Sequence, residues 1–213
     1  MKRNLCLMLV LCMMISMLPV QVFAASIVNS GICGDNLTWT LDDNGTLIIS
    51  GTGEMFDYSS NSAPWHNAGV PFKRIIIEEG VTSVGRNAFG ANYGSVWLTV
   101  IPSTLTRIGS QAFMCGSRCV VINSETVASQ AKTYDTIGYL LYLSNTVLIR
   151  EGLSYGNYVT NGRTYSSNAE FQGVRYTMFS ECKKHSYKQF DTLEMELLMC
   201  DKCSAIRDFS ALN

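Results

Sequence analysis

Four residues near the end of this 213-residue chain have the types and spacing of a metal site. Cys182-Lys183-Lys184-His185 is followed, after fourteen residues, by Cys200-Asp201-Lys202-Cys203, a C-x2-H…C-x2-C pattern. Each knuckle presents two soft ligands, and four together meet the tetrahedral demand of structural zinc. Thiolate and imidazole favour Zn2+ over the hard cations. A closed four-ligand site has no open position, so such a metal would hold the fold and catalyse nothing. Two rival readings stay open: a Cys200–Cys203 or Cys182–Cys200 disulfide, or a redox-active thiol pair. A segment of about 30 residues does not hold together on apolar burial alone. Residues 181–213 are therefore expected to form a small zinc-ribbon-like module stapled by a metal or a bridge.

Other chemistry has little to stand on. Only two histidines are present, and His66, next to Trp65, is expected to be a surface or capping residue with no activated Ser or Cys placed beside it by any motif. No glycine-rich loop with a following Lys could cradle a phosphate. Asp42-Asp43-Asn44 lacks the later Glu of a calcium loop, and Glu78-Glu79 reads as a solvated turn. The expectation is a protein that is not an enzyme.

The elements that would position a binding surface announce themselves as a repeat. Val81-Thr82-Ser83-Val84-Gly85-Arg86-Asn87-Ala88-Phe89 returns twenty-four residues later as Leu105-Thr106-Arg107-Ile108-Gly109-Ser110-Gln111-Ala112-Phe113. Each copy follows an extended apolar run, Arg74–Ile77 and Leu98–Ile101. Self-similarity at this period signals a solenoid, where one coil buries its apolar face only against a neighbour. Phe89 and Phe113 are expected to stack as a spine, with Ala88 and Ala112 allowing close approach. Gly85 and Gly109 call for positive φ or for close contact with the next coil. Cys119–Ile122 starts a shortened coil, and Thr146 to Leu153 echoes Arg74 to Val81 as a degenerate last one, with Gly156 and Tyr158-Val159 in the marking positions.

Before the repeats, Leu37–Leu41 and Thr46–Ser50 form a hairpin through Asp43-Asn44-Gly45. A two-residue Asn-Gly turn would set Trp39 against Ser50. A three-residue loop with Gly45 in the left-handed region pairs Leu41 with Leu47 and Trp39 with Ile49, so all five apolar side chains share one face. We prefer the longer loop. Residues 26–35 read as a loop, residues 51–70 as a connection with Trp65 packed beneath it, 130–142 as a short helix bent near Gly138, and 174–179 as the last strand.

The first two dozen residues have the form of an export signal: Lys2-Arg3, an apolar run from Leu5 to Leu18, and Val22-Phe23-Ala24 for cleavage after Ala24 or Ala25. The run is shorter than the ~20 residues that span a bilayer. Without it the chain carries 14 basic against 17 acidic residues, a net charge of −3 with no basic block, which disfavours nucleic acid. Six cysteines remain, Cys33, Cys115 and Cys119 besides the three near the end. The expected location is outside the cell, at its surface or secreted, with no membrane span once the leader is removed.

Ile77-Glu78-Glu79-Gly80-Val81-Thr82-Ser83-Val84-Gly85 with Ala88-Phe89 resembles the BspA-type leucine-rich repeat found in exported proteins of gut and oral bacteria. Cys33 to Leu41 and Ala63-Pro64-Trp65 resemble the segment that often precedes those repeats in clostridial surface proteins, and C-x2-H…C-x2-C tails look like a module appended to similar proteins. Departures are Cys115, one residue nearer the Phe than the family's cysteine, Ser204 where a glycine is usual, and the small number of copies. With the residue reading above, the expected fold is mainly β with short helical and irregular segments, a short leucine-rich-repeat-like solenoid: leader 1–24, hairpin cap 25–71, repeats 72–122, degenerate repeat and cap 123–180, and the cysteine module 181–213. The resemblance implies a strand face pointing away from the core as recognition surface, with Arg74, Ile76 and Glu78 outward in one coil and Leu98 and Val100 in the next. Its partner would be a host matrix or bacterial surface protein. The competing expectations are an accessory module that binds a glycan or wall component, and a thiol–disulfide enzyme built on Cys200 and Cys203.

Overall fold

The computed structural model describes residues 25–90, 96–130, 140–141, 144–160, 163, 165–180, 187–190, 197–200 and 206–208. The described chain is mainly β. Strands β1 (Ile27–Gly34), β2 (Leu37–Asp42) and β3 (Thr46–Gly51) form an antiparallel start, followed by the two-residue β4 (Gly53–Glu54). Short strands then come in pairs, β5 (Arg74–Ile77) with β6 (Val81–Val84) and β7 (Leu98–Ile101) with β8 (Arg107–Ile108). After them come β9 (Cys119–Ile122), helix α1 (Glu125–Gln130), β10 (Thr146–Arg150), β11 (Tyr165–Phe171) and β12 (Val174–Ser180). An antiparallel set, β13 (Tyr187–Phe190), β14 (Leu197–Cys200) and β15 (Ile206–Asp208), closes the chain.

Nine strands join in one sheet, in the order β1-β2-β3-β5-β7-β9-β10-β12-β11. From β3 to β10 every neighbour is parallel, each rung laid on the one before. A parallel crossover needs a long connection, and here that connection carries a second set of parallel strands, β4-β6-β8. The repeat is thus one turn of chain contributing a strand to each of two sheets, with the core between them.

The hairpin adopts the longer loop. Leu41 lies opposite Leu47 and Trp39 opposite Ile49, with Gly45 at φ 78°. Asp42 closes the turn: its carbonyl accepts the Gly45 amide at 3.1 Å and its carboxylate the Thr46 amide at 2.6 Å. Leu37, Trp39, Leu41, Leu47 and Ile49 are all buried in the main core.

An aromatic column runs through that core. Trp39 meets Trp65 edge-on at 5.9 Å, Trp65 stacks on Phe89 at 5.4 Å, and Phe89 lies 5.0 Å from Phe113. The Phe89 amide donates to the Ala112 carbonyl at 2.7 Å, and the Trp65 indole N–H to the Ala88 carbonyl at 2.8 Å. Ala88 and Ala112 are fully buried, because a larger side chain would hold the turns apart.

Gly85 and Gly109 serve close approach, not positive φ, and what they approach is the preceding turn. A Cβ on Gly85 would overlap the Phe56 carbonyl, and one on Gly109 the backbone of Gly85 and Arg86. Positive φ falls instead on Asn87 (54°) and Gln111 (59°), again twenty-four residues apart.

Three sequence expectations change. Residues 26–35 are not a loop: Ile27–Gly34 is a strand on β2, with register shifts at Val28 and Cys33. A helix not expected from the sequence runs Glu125–Gln130, where the Ser124 hydroxyl caps the Val127 amide at 3.1 Å; residues 131–139 and 142 of the expected helix 130–142 lie outside the described residues. The last strand of the main sheet has a partner that we did not anticipate, since β11 joins β12 through Gln172-Gly173, both at positive φ in a two-residue turn.

Candidate interaction face

Strand alternation gives the main sheet two faces. Ile75, Ile77, Ile101, Val120, Ile122, Val147 and Ile149 point to the aromatic core. The opposite face forms a row across the rungs, Ile48 beside Ile76, Val100, Val121, Leu148 and Met178. A second row joins Thr46, Arg74, Leu98, Cys119, Thr146 and Ser180. This outer face has its own apolar cluster of Trp97, Leu98, Cys119, Val121, Leu148, Phe171, Tyr176 and Met178, with Ile76 and Val100 packed against it.

All five residues expected on the recognition face lie off the main core, but they differ in access. Glu78 is exposed, and Ile76 and Val100 are half-buried. Leu98 is 0% exposed and Arg74 only 5%. The guanidinium of Arg74 sits over the Trp97 ring, 5.4 Å from its centroid, a cation–π contact strengthened by partial desolvation. The surface within reach is the stripe of Ile48, Ile76 and Val100, bordered by exposed Lys73 and Glu78. Sequence reasoning overlooked Trp97, although a tryptophan just before an apolar strand is a visible sign that the outer face is partly covered.

Beyond Met178 the outer-face row continues to Ser167 on β11. On β12, Tyr176 donates to Asn123 Oδ1 at 2.7 Å, and the Asn123 amide group donates to the Ile101 carbonyl at 3.1 Å. Burial raises the Tyr176 phenol above its ordinary pKa; Arg150 and the Asn123 bond oppose that rise. On the opposite side of the turns, Glu79 clamps neighbouring rungs by accepting from the Ser103 amide (2.9 Å) and hydroxyl (2.8 Å) and from the Thr104 amide (3.3 Å). Burial alone would raise its pKa, but these donors outweigh it and leave the carboxyl below its usual value.

His66 lies in a 3-10 turn (Pro64–Asn67), its ring 6.1 Å from that of Phe72, and burial lowers its pKa against an opposing backbone contact at Asn61. It borders an open groove of about 360 Å³ with Trp65, Asn67, Gly69, Val70 and Pro71. Cys33 and Cys115 are buried thiols outside any disulfide. Burial pushes each up to about 12, the opposite of an activated nucleophile. Cys182, His185 and Cys203 lie outside the described residues, and Cys200 is the last residue of β14. Among the described residues no three His, Cys, Asp or Glu side chains gather as a metal site, and no described helix is long and apolar enough to cross a membrane.

The sequence matches no family model, and no curated protein matches it. A solved structure of a leucine-rich repeat protein from Eubacterium ventriosum is similar at 17% identity and a TM-score of 0.40, covering 70% of this chain. This chain spans about half (48%) of that protein's length.

Proposed function

We propose that this chain is an exported, non-enzymatic protein of leucine-rich-repeat type, similar to BspA repeats, that attaches to a protein at or outside the bacterial surface. What supports the reading is the half-buried stripe of Ile48, Ile76 and Val100 on adjacent parallel rungs, with Lys73 and Glu78 at its border. A regular array of rungs offers repeated side chains at a strand spacing of about 4.8 Å, a pattern suited to an extended or flat protein surface. In the same reading Cys182, His185, Cys200 and Cys203 hold a structural zinc in the terminal module.

The test is a binding screen of the chain against purified host matrix proteins and whole bacterial cells. A partner found this way is expected to lose at least about tenfold in affinity on Ile76→Asp with Val100→Asp, as burial of a charge at an apolar contact requires. Glu78→Lys is expected to change the salt dependence. Retention of a glycan instead, or binding that ignores all three substitutions, would overturn the proposal.

A further inference from the structure

Strand β1 forms one end of the nine-stranded sheet, and no described strand pairs with its far side. From Asn29 to Ile32 it runs in regular register with β2, opposite Leu41, Thr40, Trp39 and Thr38. The Ser30 amide turns away from β2 and donates to Asn29 Oδ1 at 2.9 Å. By strand alternation the backbone groups of Ile32 point the same way. A row of outward backbone donors and acceptors is satisfied in full only by another extended strand.

The side chains sharpen this. Ile27 is 62% exposed, Val28 46% and Ile32 69%, at positions where solvated edges carry Lys or Pro. Ile27–Gly34 contains no charged residue and no proline, so two copies of it meet without like-charge repulsion. About Ser30 the stretch complements itself, the exposed apolar Val28 and Ile32 lying two residues to either side.

We propose that β1 is a self-association edge, on which two copies of this chain pair antiparallel about a two-fold axis at Ser30. That register sets Asn29 of each copy opposite Gly31 of the other, and Ile32 opposite Val28, where the pairing of β1 with β2 shifts register. Each Ser30 amide exchanges its bond to the Asn29 side chain for the Ser30 carbonyl of the second copy. The isologous geometry closes at two copies. A single strand pair is small beside the ~1,600 Å² of a typical stable interface, so the dimer is reversible and concentration-dependent.

Sedimentation velocity over a concentration series, on the full chain as processed on export, tests this. A monomer–dimer equilibrium is expected. Ile32→Lys should weaken it at least about tenfold by setting a charge against the apolar Val28 of the second copy. Asn29→Ala, which frees the Ser30 amide, should strengthen it severalfold. Both sites are exposed, so an unchanged circular dichroism spectrum should accompany either effect, and the Ser30 and Ile32 amides should gain hydrogen-exchange protection as concentration rises. A monomer at every concentration, capture of a foreign strand alone, or a dimer indifferent to both substitutions overturns the proposal.

Discussion

The two glycines of the repeat are the residues on which the stacking geometry is least forgiving. Gly85→Ala and Gly109→Ala would each drive a methyl into the backbone of the preceding turn. Overpacking against backbone, which cannot rotate away, is expected to cost about 1–3 kcal/mol or more, measurable by denaturant unfolding. Gly152, where a Cβ would meet nothing, is expected to lose far less on the same substitution than a close-contact glycine, its cost coming from positive φ alone. The buried thiols make a pH prediction. Cys33 and Cys115 ionise near 12 when folded and at 9.0 when free, so their contribution is fully present below pH 9.0 and is lost as pH rises toward 12. Stability should therefore fall on the alkaline side, and Cys33→Ala should shallow that slope. Glu79 works in the other direction. Its depressed pKa stabilises above the free value of 4.5 and that benefit is lost in acid, so Glu79→Gln should flatten the acid limb of the stability curve.

The aromatic column decides how the turns stay in line. Phe89 touches Trp65, Phe72 and Phe113, so it is the residue through which the cap and both repeats meet. Phe89→Ala is expected to cost about 3–5 kcal/mol, and Trp65→Phe to lose in addition the hydrogen bond to Ala88. Thermal unfolding of the two variants separates packing from the polar contact. Thr99 shows the opposite trade: on the core-facing row its buried hydroxyl has no partner among the described residues. Thr99→Val should therefore stabilise, and a midpoint that falls would mean that the hydroxyl is bonded after all.

Taken together, the molecule is a stack of parallel rungs with antiparallel strands at both ends, β1-β2 at one and β12-β11 at the other. Those ends cover the rungs that would otherwise expose their cores, which is what an array of stacked turns requires. The proposed zinc site of Cys182, His185, Cys200 and Cys203 makes a separate prediction. Protein purified under reducing conditions should carry stoichiometric zinc, and chelation should raise thiol reactivity without loosening the main sheet. Absence of metal, or a mass shift showing a disulfide, would remove zinc from the picture.

Periodicity and alternation are local properties, and they made much of this legible in the sequence alone. The twenty-four-residue repeat placed Phe89 over Phe113, and the need to keep Trp39 and Ile49 on one face selected the hairpin loop. The same alternation correctly put Ile76 and Val100 on the side away from the core. Alternation says which side of a sheet a residue faces, but whether that side is covered depends on residues far along the chain. Only the tertiary structure could bring Trp97 over Arg74, bury Leu98 beneath a second apolar layer, and recruit a Gly- and Ser-rich stretch as strand β1. Its Ile27, Val28 and Ile32 favour a strand while Asn29, Gly31 and Gly34 do not, and pairing with β2 decides between them.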